Sequence, residues 1–238
     1  MRKRVVIKIS GEELQGGAGK YNDEIIDKII TEITEIQGRG VQAALVVGGG
    51  NLWRGRDTRA GMDRPRSDQM GMLATMMNAI YLCDAFRAKG ALAAVMTPFP
   101  AHTFAREFEK FEALRLMAEG RVLIFAGGTG LPFFSTDTIA AVRAAEIEAD
   151  AILFAKTVNG IYDKDPAKFP DARKYNEITY DEIIQKNLKA IDIAAISVCR
   201  DQGIESAAFG LREKDSIVIA ALGGDEELFE VGTRVRVN

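Results

Sequence analysis

The 238-residue chain has two cysteines, one histidine, one tryptophan and six prolines, and only 8% of its residues are aromatic. Cys83 and Cys199 stand far apart in apolar helical contexts. That excludes a disulfide framework and fits a reducing cytoplasm, and each reads as a small buried hydrophobe. The one histidine, His102, follows a Pro98-Phe99-Pro100-Ala101 turn and reads as a loop residue rather than a catalytic base. No stretch approaches the ~20 apolar residues of a membrane span. Met1-Arg2-Lys3-Arg4 has the charge of a secretory leader, but the apolar run behind it stops at Ile9 and is interrupted by Lys8. It is a strand. The net charge is only -3 with the signs interspersed, so a dedicated nucleic-acid partner, which needs a concentrated basic face, is not expected. Small anions remain compatible. What is present is 47% apolar residues, enough for a large core of Ile, Val, Leu and Ala.

Short β-rich runs alternate with amphipathic helical stretches. Strands are predicted at Val5–Ile9, Ala43–Val47, Leu92–Met96, Val122–Phe125, Ala151–Phe154, Glu205–Phe209 and Arg234–Val237. Helices are predicted from Asn22 or Asp23 to Gln37, and at Asp68–Lys89, Ala105–Glu119, Asp137–Glu148, Ile191–Gln202 and Ser216–Leu222. The Thr179-x-x-Glu182 capping box opens a further short helix. Continuously apolar strands separated by helices imply an α/β fold: a three-layer αβα sandwich around a mainly parallel sheet. No linker or repeat is evident, so residues 1–238 read as one domain. The polar stretch Asp163–Asn176 is the one candidate boundary, between parts of about 1–155 and 156–238.

Ligands of such sheets collect beyond the carboxyl ends of the strands, and three ends here are unusual. In Lys8-Ile9-Ser10-Gly11-Glu12, Gly11 permits a turn with exposed N–H groups suited to a phosphate, and Lys8 adds an ammonium. A plain surface lysine is the alternative. In Gly48-Gly49-Gly50-Asn51-Leu52-Trp53-Arg54-Gly55, three glycines are a poor choice merely for a turn, so close approach of a ligand is expected. Arg54 would clamp a phosphate, and Trp53 reads as packing. The third is Gly127-Gly128-Thr129-Gly130-Leu131-Pro132-Phe133-Phe134-Ser135-Thr136-Asp137. Its Pro-Phe-Phe segment can wall a base or sugar, Thr136 fits a helix cap, and Asp137 can organise lysines and a magnesium ion. No GxxxxGK[ST] loop, GxGxxG after the first strand, or HRD and DFG pair is present, which excludes P-loop kinases and protein kinases and disfavours dinucleotide oxidoreductases.

KISGE at Lys8–Glu12, GGGNLWRG at Gly48–Gly55, SDQMGMLAT at Ser67–Thr75, GTGLPFFSTD at Gly128–Asp137, NGIYDKDP at Asn159–Pro166 and IDIAA at Ile191–Ala195 together resemble the ordered motifs of bacterial UMP kinases, within the amino-acid-kinase family. The resemblance spans essentially the whole chain. It implies the amino-acid-kinase fold and transfer of the ATP γ-phosphoryl group to UMP, with Mg²⁺ held mainly by the ATP phosphates and not directly by side chains. It makes Lys8, Arg54 and Asp137 the catalytic groups. ATP would be bound by Lys8, Ile9, Ser10, Gly11, Gly50, Arg54 and Lys156, with Tyr162 and Asp165 at its nucleoside. UMP would meet Gly49, Asp68 (at the ribose), Thr129, Gly130, Leu131, Pro132, Phe133, Phe134, Ser135 and Thr136. Asp192 resembles a structural acid of the family. The usual GTGNPFF has asparagine where Leu131 stands, so main-chain groups or Thr129 would have to read the uracil. The segment Gly16–Tyr21 departs from the pattern tied to GTP activation, so that activation is not implied here; feedback inhibition by UTP is.

The acceptor of such a reaction is already anionic near neutrality, because the second pKa of a phosphate monoester is about 6. The task is electrostatic, and no general base is required. A carboxylate or carbamate kinase of the same fold is the first rival; Asp68 and the Pro132-Phe133-Phe134 wall favour a nucleotide acceptor. A non-catalytic nucleotide or oxyanion store is the second, and Lys8, Arg54 and Asp137 together argue against it. Finally, Met70, Met72, Leu73, Met76, Met77, Ile80 and Tyr81 exceed one core-facing stripe. They are either a subunit interface or extra core; the resemblance implies a homohexamer, a trimer of dimers.

Overall fold

The computed structural model describes residues 2–16, 19–54 and 59–237. Gly55 of the second glycine turn, and Gly17 and Ala18 of the Gly16–Tyr21 segment, lie outside the described residues. The chain runs through strands β1 (Arg4–Ile9), β2 (Gln42–Val47), β3 (Ala93–Thr97), β4 (Arg106–Glu107), β5 (Val122–Phe125), β6 (Ala151–Lys156), β7 (Ile161–Tyr162), β8 (Lys174–Tyr175), β9 (Glu177–Thr179), β10 (Glu205–Gly210) and β11 (Gly232–Arg236). Between them lie α1 (Asp23–Gly38), α2 (Arg64–Ala88), α3 (Lys110–Ala118), α4 (Thr136–Glu146), α5 (Tyr180–Gln185), α6 (Ile193–Asp201), α7 (Ser216–Leu222) and α8 (Asp225–Val231).

Nine strands form one sheet in the order β4-β3-β5-β2-β1-β6-β10-β11-β9, and β7 and β8 make a separate antiparallel pair. All neighbours in the large sheet are parallel except β10 with β11. One apolar layer, carrying Val5, Ile7 and Ile9, packs under α1, α2, α7 and α8; the other, carrying Val6, Ala44 and Val46, packs under α3, α4, α5 and α6. The three-layer αβα expectation therefore holds. Alternation along a strand decides which layer each side chain joins. Lys8 follows Val6 and faces the α4 side; Lys156 follows Ile152 and Phe154 to that same side.

Local chemistry explains where the elements begin. The α1 stripe of Ile25, Ile26, Ile29, Ile30, Ile33 and Ile36 is buried, and the Asn22 side chain caps the helix by accepting from the Ile25 N–H. Helix α2 starts at Arg64, four residues before the predicted Asp68, because Asp63 accepts the Arg66 N–H and a proline occupies the first turn. Helix α3 starts at Lys110 rather than Ala105: Glu109 caps it, and Arg106–Glu107 instead pair with β3. The predicted capping box holds, with Thr179 and Glu182 exchanging hydrogen bonds. The polar stretch from Asp163 to Asn176 closes the β7–β8 pair and leads into the sheet's edge strand β9, so the large sheet draws strands from both sides of that stretch. Helix α8 and the short strands β4, β7, β8 and β9 carry too few residues for a periodic signal.

Candidate active site

Register puts the carboxyl ends of β5, β2, β1 and β6 side by side, with Lys8 opposite Val46 and Phe154, and Val46 opposite Phe125. Three of the site's turns leave from these ends. Lys8 and Lys156 project from adjacent strands to one face, where α4 begins. Asp137, in the first turn of α4, lies between them: Lys8 Nζ is 2.8 Å from Oδ1 and Lys156 Nζ is 3.4 Å from Oδ2. The carboxylate is nearly enclosed, 13% exposed. Burial alone would raise its pKa, but Lys156 and Lys8 outweigh that and hold it below the usual carboxylate value. Lys156 is lowered from 10.5 to about 8, first by burial and then by repulsion from Lys8, with Asp137 partly restoring it. Two ammonium groups thus share one carboxylate, and the trio carries a spare positive charge when all are ionised.

Ser135 caps α4, its Oγ accepting from the N–H groups of Asp137 (3.1 Å) and Thr138 (3.2 Å). Thr136 is the first helical residue, so the expected cap lies one residue earlier: the hydroxyl that faces back over the open N–H groups is that of Ser135. Asp192, the cap of α6, in turn accepts hydrogen bonds from Ser135 Oγ and, at 2.9 Å, from Thr138 Oγ1. It fixes the turn that delivers Asp137, a structural role.

The glycines answer mainly to the protein's own chain. A Cβ on Gly11 would lie 2.5 Å from the Gly50 nitrogen, and one on Gly49 would lie 2.8 Å from Ala74 Cβ and 2.9 Å from the Gly71 carbonyl of α2. Close approach was expected of a ligand; here the first two glycine turns press on each other and on α2. Gly127, Gly128 and Gly130 adopt positive φ, as does Phe133 (φ 75°), a conformation that costs a non-glycine residue energy. Phe133 is held there by its N–H, which donates to Asp68 Oδ2 at 2.8 Å.

Three clefts run along this edge. The first, about 300 Å³, is lined by Gly49, Gly50, Asp68, Leu131, Phe134, Ser135 and Thr136, together with Trp53, Gly71, Met72 and Thr75. The second, about 560 Å³, is lined by Lys8, Ser135, Thr136, Asp137, Lys156 and the loop Asn187–Ile193. The third, about 490 Å³, contains Tyr162 and Asp165 and shares Asn187–Ala190 with the second. Ser135 and Thr136 are the wall between the first two.

Of the predicted site, Thr129, Gly130, Pro132 and Phe133 lie in the turn beside the first cleft without lining it. The Phe133 ring is exposed under the Arg64 guanidinium, and the Thr129 hydroxyl receives the Leu131 N–H. The Ile9 side chain is in the opposite core layer and its carbonyl accepts the Gly48 N–H, while Ser10 opens the short 3-10 turn that begins at Gly11. Arg54 is held by Glu12 at 2.9 Å and by the Gly50 carbonyl at 2.9 Å, at the mouth of a side pocket with Asn51 and Trp53. Asp68 is engaged by Arg64 at 2.8 Å as well as by Phe133. Trp53 donates its indole N–H to Ser67, and His102 is in an exposed turn. The sequence marks Ile191 and Asp192 of the Asn187–Ile193 loop but assigns Asn187–Ala190 no place in the site, and the helix expected from Ile191 begins at Ile193.

A mainly parallel sheet thus gathers two lysines around one nearly enclosed carboxylate, between two clefts divided by a single capped turn, an arrangement with the charge to receive anions. The amino acid kinase family profile matches residues 3–209. The chain belongs to the amino acid kinase family. Its kinship within that family is with UMP kinases. It is 32% identical to UMP kinase from Bacillus anthracis, the match covering 100% of this chain and 97% of that one, with a TM-score of 0.93. To UMP kinase from Ureaplasma parvum it is also 32% identical, over 99% of each chain, with a TM-score of 0.91.

Proposed function

We propose that the protein is a UMP kinase, binding ATP across the second and third clefts and UMP in the first. The observation that carries this reading is the Lys8–Asp137–Lys156 cluster standing one turn away from a nucleotide-sized cleft. In-line transfer between two polyanions needs charge neutralisation and alignment, not a base. Lys8 and Lys156 supply the charge, Asp137 spaces them, and Ser135–Thr136 separate the two nucleotides. Arg54 joins by exchanging Glu12 for a phosphate. Ile9, Ser10, Gly11 and Gly50 shape the donor-side turn, with Tyr162 and Asp165 at the donor nucleoside. Asp68 and the 129–134 turn flank the acceptor.

The side chains suit a magnesium ion that arrives with the triphosphate. Both Asp137 oxygens face ammonium groups, and among the described residues no group of three or more His, Cys, Asp or Glu is arranged to hold a metal. When bound, Mg²⁺ supplies neutralisation of the phosphate charge.

The protein works in the cytoplasm; both cysteines are free and buried, and among the described residues no helix is long and apolar enough to cross a membrane. It assembles as a homohexamer through the outer face of α2, where Leu73 and Met77 are 58% and 53% exposed while Met76 is core. A monomeric mass in solution contradicts that assembly. UTP acts as a feedback inhibitor, as the likeness to UMP kinases implies.

The deciding experiment is a coupled assay with ATP, Mg²⁺ and a panel of UMP, CMP, dUMP, acetylglutamate and carbamate. Preferential turnover of UMP is expected, and preference for acetylglutamate or carbamate would replace the reading. Two variants refine it. Asp68→Asn is expected to raise the KM for UMP about tenfold, the scale of a weakened hydrogen bond to a charged group, and a rise confined to ATP would reverse the two sites. The pH profile of kcat/KM for ATP is expected to fall above about pH 8, where Lys156 loses its proton. Lys156→Arg keeps the charge and should abolish that limb. The same group gives a stability signature. Between about 8 and 10.5 the folded protein binds fewer protons than the unfolded chain, so this contribution to stability rises with pH across that window.

A further inference from the structure

Helix α2 meets the acceptor-side loops through one stripe of residues spaced three or four apart, neighbours on a single helix face. Ser67 receives the Trp53 indole N–H, Gly71 lies under Gly49, and Thr75 Oγ1 receives the Gly127 N–H at 2.8 Å. One turn further, Asn78 is wholly buried. Its Nδ2 donates to the Gly48 carbonyl at 2.7 Å and to Asn51 Oδ1 at 2.8 Å. Its Oδ1 accepts from Asn51 Nδ2 at 3.2 Å and from the Tyr21 hydroxyl at 3.0 Å. Both donors and both acceptor positions of the amide are used.

The partners are the atoms on which the two glycine turns rest. A Cβ on Gly11 would come within 2.6 Å of Asn51 Oδ1 and 2.9 Å of the Gly48 carbonyl, so the turn after β1 packs on the same two oxygens that Asn78 holds. Gly49 and Gly50, in the same stretch, line the acceptor cleft. On the far side, the Tyr21 ring stacks on Tyr81 of α2 at 3.9 Å. We propose that Asn78 is a positioning residue that sets the spacing between the donor-side and acceptor-side glycine turns, with the Tyr21 hydroxyl steadying it. This rests on the kinase reading above. A buried carbonyl that loses its donor is left unsatisfied, and the turn carrying it moves to find another.

The test is steady-state kinetics with ATP and UMP on Asn78→Asp, which keeps the shape but removes the donor, with rates normalised to the folded fraction. The expected result is a fall in kcat of about 10- to 100-fold, the scale of an ångström-size misplacement, with the KM for ATP within about twofold of the parent. Tyr21→Phe removes one hydroxyl and keeps the ring stack. It should lower kcat about two- to fivefold with the same KM pattern, the scale of one hydrogen bond, and supplies the readout if Asn78→Asp does not fold. If both variants melt earlier yet keep the parent kcat per folded molecule, the proposal is overturned; a loss carried by the KM for ATP overturns it too. Failure of the unsubstituted protein to phosphorylate UMP would instead sink the kinase reading. The same comparison then runs with whichever acceptor the panel identifies.

Discussion

Asp137→Asn is expected to lower kcat by about 100- to 1000-fold, the range for removing a preorganised electrostatic group, while leaving the KM for ATP unchanged or lower. The two halves of that expectation come from one geometry. Asp137 is the only carboxylate in ion-pair contact with Lys8 and Lys156 among the described residues. An amide has the same shape but no charge, so the two ammonium groups lose the anion that spaces them. Their summed positive charge still attracts a triphosphate, which protects binding. Their placement suffers, because only the more distant Asp192 now offsets their mutual repulsion, and alignment of the transferred group goes with it. The substitution should also move the alkaline limb of kcat/KM for ATP below pH 8, since Asp137 is a group that raises the Lys156 pKa. A variant with parental kcat would remove Asp137 from the catalytic set. A KM for ATP that climbs in step with the loss would make it a binding residue instead.

The parts of this site visible in the sequence were those written locally. Lys8, the three glycine turns and the Ser-Thr-Asp run each sit at a strand end, and a strand's period of two already predicts that Val6 and Lys8 share a face. What the chain order cannot write is which strands become neighbours. The pairing of Lys156 with Lys8 depends on β6 lying beside β1 although 141 residues separate the end of one from the start of the other. The glycines were legible as close approaches, but the approaching partner was not. It is the backbone of another turn for Gly11, and helix α2 for Gly49. Asn78 gave no signal at all, because an asparagine inside a helix resembles any surface position until the loops it bonds fold over it. Helix α2 hid its logic for a related reason. One face is core and loop support, and the other carries exposed Met70, Leu73, Met77 and Ile80, so no single apolar stripe marks its inner side.

Lys8→Ala is expected to reduce kcat by at least about 100-fold, the size typical of one oxyanion-stabilising donor. Lys8 is 7% exposed and reaches the site from the middle of the sheet, between β2 and β6, so no mobile surface cation can take its place. Lys8→Arg should not restore the rate. A planar, delocalised guanidinium does not reproduce the compact point charge of an ammonium ion, and the contact it would have to replace is the single 2.8 Å approach of Lys8 Nζ to Asp137 Oδ1. The loss should not be a loss of folding, because Asp137 keeps its second partner, Lys156, at 3.4 Å. The most discriminating readout is again the alkaline limb. Lys8 is a group that lowers the Lys156 pKa, so its removal should carry the limb above pH 8, opposite to the shift expected for Asp137→Asn. Opposite displacements in the two variants are what a carboxylate flanked by two ammonium groups requires. Displacement in the same direction, or near-normal turnover without Lys8, would mean that the three groups do not act on the phosphates as one charged cluster.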